Sequence, residues 1–351
     1  MSLTTSLWAS IVGASLWGDM HTETDPEVVI VGGGIAGSAM AVQLARHGRR
    51  AGRLDHAALV PGVEGALCMH HPVACETLNR LAAEAGATVV RGVDEVHIHG
   101  GPTPAVSYRV DQRQVSHAPR LVVGADGRTS TVREQAGITL HRGAQDVLVT
   151  GVLVEGATDW PQDTYALGTE GDRMYFVFPQ GGDRLRLYMC ITPEQRDRFA
   201  GPTGAERGGE DTWTDPPFSE GVVLIGDAAG YNNPIIGQGL SLALRDVDLV
   251  SQLLLDSGDW SMETLRRYAT ERDERMRRVR FSAQMFVDLY CAFGPDGARR
   301  RGAFFGRRAS GEDPTLEWAL APPLIGPDQL PPEAYDEAFR RKVLEPAAAG
   351  A

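Results

Sequence analysis

The sequence predicts an α/β protein in which a Rossmann-like nucleotide-binding domain is assembled from separated pieces, interrupted by an antiparallel sheet and followed by C-terminal helices. Three observations lead there. Residues 26–50 read PEVVIVGGGIAGSAMAVQLARHGRR, a short β-branched run, then Gly32, Gly34 and Gly37 at GxGxxG spacing, then a small-residue helix. Two later apolar runs, 121–133 and 221–239, also end in glycine and aspartate. Between them, 143–209 is rich in β-formers with a hairpin signal, QGGD, at 180–183.

In the first stretch, Gly32 permits a tight turn, Gly34 has no Cβ to obstruct a pyrophosphate, and Gly37 lets the helix lie close to the strand. The helix N-terminus then turns its free N–H groups and positive dipole end toward the phosphates. A second strand should follow, ending in an acidic residue for the ribose. Asp55 lies about 20 residues past the glycines, the expected distance. Yet 49–55 carries no convincing strand to present it, so the region reads as shortened.

Residues 72–85 read as a helix with Val73, Leu78, Leu81 and Ala82 on one side, and 87–99 as a strand pair. Residues 121–133, LVVGADGRTSTVR, predict a buried strand turned sharply at Gly124, Asp126 and Gly127. From the residues alone, Asp126 is equally a helix cap and a ligand-facing group. The β-rich stretch predicts strands at 147–154, 173–178 and 184–191, a plausible wall for a substrate. Tyr165, Tyr175, Phe176, Phe178 and Tyr188 are candidates to face it, with at least half expected in ordinary packing.

The nucleotide domain resumes with GVVLIGDAAGYNNPIIGQGLSLALRDV. Residues 222–225 read as a strand that ends at Gly226 and Asp227, Pro234 holds the connection extended, and Gly237 to Gly239 open a helix to about Leu255. Asp227 at a strand end can accept from a chain of hydroxyls, and the N–H groups near Gly239 can meet an electron-rich ring oxygen. Residues 262–293 predict one or two amphipathic helices whose arginines form a solvated face with Glu263, Glu271, Asp273 and Glu274. The Pro-, Gly- and Arg-rich tail beyond Gly294 reads as a surface wrap.

The totals bound the chemistry. A chain of 351 residues holds one large or two medium domains, and a formal charge of −12 argues against nucleic acid as a primary partner. Lys342 is the only lysine, far from every motif, which argues against Schiff-base, P-loop and lysine-dependent halogenation chemistry. Cys68, Cys75, Cys190 and Cys291 show no CxxC spacing and read as reduced cytoplasmic thiols. The nine histidines form no metal-ligand pattern, although His97 and His99 share one strand face. No apolar run reaches the roughly 18 residues a membrane span needs. Residues 1–19 read as an extension or tag outside the fold, with Met20 a second possible start.

Three glycine motifs in the order GGGIAG, GADGRTSTVR and GDAAGYNNPIIGQG together resemble the para-hydroxybenzoate hydroxylase family of single-component FAD-dependent monooxygenases, over most of 27–255. The resemblance implies that Gly32, Gly34 and Gly37 hold the FAD pyrophosphate and that Asp126 and Gly127 serve FAD and NAD(P)H. It implies that Gly226 and Asp227 contact the ribityl chain and that Pro234, Gly237, Gly239 and Leu240 line the isoalloxazine ring. The domains would be an extension at 1–24, FAD-binding parts at 25–142 and 211–256, a substrate sheet at 143–210, and helices and tail at 257–351. NAD(P)H would reduce the flavin, which then activates O2 and passes one oxygen atom to an electron-rich carbon of an aromatic or polyketide-like molecule. Such chemistry requires no nucleophile triad. The expected state is a cytoplasmic monomer or homodimer. The sequence departs from the family at His71, where an arginine is usual, and at Gly230, where a histidine is usual and where glycine predicts a more flexible loop. Two alternatives stay open: an FAD-dependent reductase of the geranylgeranyl reductase type, and a non-catalytic flavin-binding scaffold. The WxWxIP run of flavin halogenases is absent from the sequence.

Overall fold

The structure is a computed structural model and describes residues 28–31, 51–54, 71–85, 89–161, 166–199, 209–311 and 313–345. Gly32, Gly34, Gly37, Asp55, Cys68, Tyr165 and the 1–19 stretch lie outside these residues. The fold is mixed α/β, with antiparallel sheets, two parallel strand pairs and a C-terminal block of helices.

Strand β1 (Val28–Val31) pairs in parallel with β2 (Ala51–Leu54), Val28 opposite Ala51 and Val31 opposite Leu54. The second strand is therefore present, contrary to the expectation of a shortened region. Its sequence, AGRL, has no β-branched residue, so its ladder with β1 rather than its propensity makes it a strand. Helix α1 (His71–Glu84) forms where predicted, but Leu78 and Leu81 are exposed. The expected strand pair at 87–99 is instead the start of a three-stranded meander, β3 (Asp94–His99), β4 (Ala105–Val110) and β5 (Arg113–His117), with His97 and His99 exposed on one face of β3.

Strand β6 (Val122–Gly124) buries Val122 and exposes Val123, and leads into the short helix α2 (Thr131–Gln135). After β7 (His141–Arg142) comes a four-stranded antiparallel sheet in the order β8 (Leu148–Val154), β11 (Arg184–Ile191), β10 (Arg173–Gly181), β9 (Ala166–Glu170). The QGGD hairpin joins β10 to β11, and Gly181, Gly182 and Asp183 all adopt positive φ there. Phe176 and Phe178 are core residues, while Tyr175 and Tyr188 are half-buried. Tyr188 lies flat against Gly151 of β8, where a Cβ would stand 2.8 Å from the ring.

Strand β12 (Thr212–Trp213) pairs with β7, and β13 (Phe218–Ser219) with β14 (Val222–Leu224). Beyond a 3₁₀ turn at Gly226–Ala229, a second 3₁₀ turn spans Pro234–Ile236, capped by the Asn233 side chain on the Ile235 N–H. Pro234 thus opens a turn, not an extended connection, since its fixed φ also suits the first helical position. Helix α3 (Gly239–Ser257) follows, then a single α4 (Met262–Tyr290).

Beyond Gly294 the chain forms α5 (Gly294–Ser310), α6 (Pro322–Ile325) and α7 (Glu337–Leu344) rather than a surface wrap. Phe304, Leu316, Leu320, Leu324 and Val343 are all but fully buried. They join a core with the sheet residues Met174, Phe176 and Cys190, the α4 residues Met276, Val279 and Phe286, and Ile235 and Ile236. The tail is poor in apolar residues, but those it has fall on inward faces. Cys190 and Cys291 are buried thiols. Among the described residues no helix is long and apolar enough to cross a membrane.

Candidate functional site

Strands β6 and β14 are parallel neighbours, Val222 opposite Val122 and Leu224 opposite Gly124, with the Ile225 N–H donating to Gly124 O at 2.9 Å. Both carry their glycine–aspartate turns at the carboxyl end, so turns about a hundred residues apart in sequence share one edge, the edge at which parallel sheets bind ligands. Gly124 is needed for this approach: a Cβ there would lie 2.6 Å from the Leu224 side chain and 2.8 Å from Val132.

Asp126 caps α2. Its carboxylate accepts from Ser130 Oγ, from the N–H groups of Thr131 (2.7 Å) and Val132 (3.1 Å), and from Thr131 Oγ1 (3.2 Å). Partial burial works to raise its pKa, but the bonds from Ser130, Val132 and Thr131 prevail and hold it below the usual aspartate value. Gly127 takes φ +77° with no atom within 4 Å of a Cβ position, so the turn is open there.

Asp227 is 38 % exposed, and its Oδ2 accepts from Arg128 Nε at 3.3 Å. Arg128 lies over the Tyr231 ring at 4.7 Å, and the Tyr231 hydroxyl donates to Glu210 Oε1 at 2.7 Å, which Arg142 also reaches at 2.6 Å. The pair Arg128–Asp227 therefore ties one turn to the other. Behind them, buried Arg133 donates to Ala228 O at 2.9 Å and Arg128 O at 3.1 Å.

The 226–230 turn has every carbonyl engaged. Gly226 O accepts from Arg272 Nη2 at 3.2 Å, Asp227 O from the Gly230 N–H, Ala228 O from Arg133, Ala229 O from Arg272 Nη1 (3.0 Å) and Thr214 Oγ1 (2.9 Å), and Gly230 O from Arg272 Nη2 (2.9 Å). Asp246 of α3, fully buried, accepts the Gly226 N–H at 2.8 Å, Arg272 Nε at 3.0 Å and Arg275 Nη2 at 2.7 Å. Arg275 reaches Glu271 as well. Tyr268, one helical turn before Arg272, donates its hydroxyl to Leu224 O at 2.8 Å, and burial raises its pKa.

Arg272 and Arg275 thus contradict the reading of 266–280 as a solvated face, which holds for Arg266–Glu263 and Arg277–Glu274. A sequence signal existed. The α4 core positions run Leu265, Tyr268, Arg272, Met276, Val279, so Arg272 occupies the slot where the apolar repeat skips a turn. The flexibility expected at Gly230 is also overturned. It takes φ +115°, and a Cβ would meet Thr212 O and Trp213 Cα at 2.6 Å, so β12 packs directly against it and only glycine fits.

The second loop leads from Asn233 through Pro234 and Gly237 (φ +63°) to α3. Asn233 Nδ2 donates to Gly209 O at 3.0 Å, its N–H donates to Asp211 Oδ1 at 2.8 Å, and buried Gln238 donates to Pro323 O at 3.2 Å. Burial pushes Asp211 up to about 6, against the Asn233 hydrogen bond and the Arg280 charge. Gln238 gives α3 no side-chain cap, the first turn of α3 has no acidic residue, and no heavy atom lies within 4 Å of a Cβ position at Gly239. Leu240 is 37 % exposed beside it. Among the described residues, a glycine-opened helix N-terminus without a side-chain cap and a partly exposed carboxylate, on a turn packed against the same helix, fit a ligand with both a hydroxyl chain and an electron-rich ring edge, as FAD has.

Comparison with known proteins points to the same cofactor. Residues 72–207 match the family described as "FAD binding domain", and 214–294 match that described as "Squalene epoxidase". The chain is 28 % identical over 205 residues to the 3-demethoxyubiquinol 3-hydroxylase of Escherichia coli (49 % of this chain, 50 % of the relative). It is 31 % identical over 214 residues to the 6-methylpretetramide 4-monooxygenase of Streptomyces rimosus (51 % and 46 %). The chain spans about half the length of these curated relatives. Among solved structures, the crystal structure of AlpK superposes with a TM-score of 0.60 at 25 % identity, over 78 % of this chain and 61 % of that one.

Proposed function

We propose that this chain, whose residues 72–207 match the FAD-binding domain family, is an FAD-dependent monooxygenase that uses NAD(P)H and O2 to hydroxylate or epoxidise an aromatic or polyketide-like small molecule. One observation supports the reading: β6 and β14 bring the turns that carry Gly127 and Asp227 together at their carboxyl ends, tied by Arg128 and Asp227, and α3 packs against the second turn through Asp246. The hydroxylase and monooxygenase relatives support the reaction class.

When bound, FAD supplies the O2 activation and oxygen transfer that no side chain here performs. The residues divide the remaining work. Asp227 accepts from the ribityl hydroxyls, and Asp126 shapes the neighbouring turn by capping α2 so that Gly127 stays open to the cofactor. Pro234, Gly237, Gly239 and Leu240 border the isoalloxazine ring, with the N–H groups of α3 toward its electron-rich edge. Gly32, Gly34 and Gly37 receive the pyrophosphate and Asp55 the ribose. Segments 25–142 and 211–256 form the cofactor domain, and the 143–210 sheet provides the substrate wall and excludes water from the oxygen transfer.

The test is direct. Purified protein should carry a yellow chromophore released as FAD, and NAD(P)H oxidation should consume O2 faster when an accepted aromatic substrate is added. NAD(P)H oxidation with reduction of an alkene and no O2 uptake would assign a reductase instead, and failure to retain FAD at micromolar concentration would refute the reading.

A further inference from the structure

Resting on the flavin reading above, we infer that Arg272 is a positioning residue that sets the 226–230 turn in its cofactor-receiving conformation before FAD arrives. The turn has φ +58° at Gly226 and +115° at Gly230 and no side chain of its own to hold that shape. Arg272 supplies the hold from another element. Its guanidinium donates to three of the five turn carbonyls, those of Gly226, Ala229 and Gly230, and its Nε to Asp246. Asp246 closes the circuit by taking the Gly226 N–H. The carbonyls therefore point inward to the cation, and the Asp227 side chain is left on the outward face, where it is partly exposed.

The geometry singles out arginine. Only a planar fork with five N–H donors reaches carbonyls and a carboxylate at once, whereas lysine has one donor centre. The clamp is also closed to competition, because Arg272 and Asp246 are 3 % and 0 % exposed and water cannot replace the bonds. Arg275, one turn further along α4, shares Asp246 and is itself balanced by Glu271. A turn already fixed in this way spends no FAD binding energy on ordering itself.

The experiment compares wild type, Arg272→Lys and Arg272→Gln. FAD dissociation constants come from fluorescence titration of the deflavinated proteins, with thermal unfolding of the same samples. The expected result for Arg272→Lys is FAD affinity at least tenfold weaker, with a melting temperature within a few degrees of wild type and a shifted visible flavin spectrum at saturation. Unchanged affinity and spectrum in a folded variant would overturn the assignment. If both variants fail to fold, the decision passes to the wild-type protein, in which nitrogen-15 spectra read exchange of arginine side-chain protons. Slow exchange of the Arg272 Nε–H, alike with and without FAD, supports a clamp formed beforehand. Exchange as fast as that of exposed arginines, or slow only with FAD present, refutes it. A wild-type protein that binds no FAD would refute the flavin reading, and the exchange measurement still judges the clamp.

Discussion

Arg272 Nε donates to Asp246 Oδ2 at 3.0 Å in a site sealed from solvent, and the same guanidinium holds three carbonyls of the turn that carries Asp227. Helix α4 thus determines the shape of a loop about forty residues earlier. Tyr268 on Leu224, Arg272 on the turn and Arg275 on Asp246 form a row along one helix face that follows the chain from strand end to turn to helix α3.

Removing the anion from this row should be costly. Asp246→Ala leaves two buried guanidinium groups without their shared carboxylate and frees the Gly226 N–H, a change expected to lose about 3–5 kcal/mol. Urea unfolding of wild type and variant reads it, and a loss under about 1 kcal/mol would show that the row is not a unit.

Asp227 makes the opposite prediction. It is partly exposed and its ion pair with Arg128 is at the surface, so Asp227→Ala should change folding stability by no more than about 0.5–1 kcal/mol. Flavin retention after gel filtration should nevertheless be lost. Wild-type FAD content in that variant would remove Asp227 from the cofactor site.

Two glycines separate packing from binding. Gly230→Ala forces a Cβ onto the β12 backbone at a strained φ, and should destabilise by about 2 kcal/mol or more. Gly239→Ala meets nothing and gains helix propensity, so the flavin-free protein should become more stable, by up to about 1 kcal/mol. On the proposed cofactor site FAD affinity should fall, because the methyl group would enter the space assigned to the ring. Equal melting temperatures and equal affinities for both variants would contradict the site.

Asp211 predicts a pH dependence. Its pKa is raised by burial to about 6, above the roughly 3.9 of an unfolded aspartate, so the folded state binds the extra proton. The penalty is absent below about pH 4, grows through pH 4–6 and is complete above 6, with an upper bound of about 3 kcal/mol. Asp211→Asn keeps a side-chain oxygen for the Asn233 N–H and removes the charge. The stability of the variant relative to wild type should therefore rise from pH 4 to pH 7 and level off. A flat difference across that range would show that Asp211 does not titrate there.

Much of the fold was legible from local pattern. The β14 strand, the opening of α3 and the QGGD hairpin all announce themselves through apolar runs and glycine placement, which depend on neighbouring residues only. The three motifs point to FAD through their resemblance, in that order, to the para-hydroxybenzoate hydroxylase family; the turns alone indicate a ligand with phosphate and hydroxyl groups. Strand β2 was not legible, since AGRL becomes a strand only by pairing with β1. The burial of Arg272 was legible only as a gap in the apolar repeat of α4; its partner was not, because Asp246 lies on another helix.

The sequence by itself determined the strands before the two later glycine–aspartate turns, the QGGD hairpin, the opening of α3 and the chemistry that Asp126 and Asp227 offer. Only the tertiary structure decided that Asp126 is a helix cap, that Gly230 is glycine because β12 leaves no room, and that a buried arginine shapes the turn beneath Asp227. The physical reason is range: turn and strand preferences act over a few residues, whereas desolvation and hydrogen-bond satisfaction are settled by whatever the fold brings within about 3 Å.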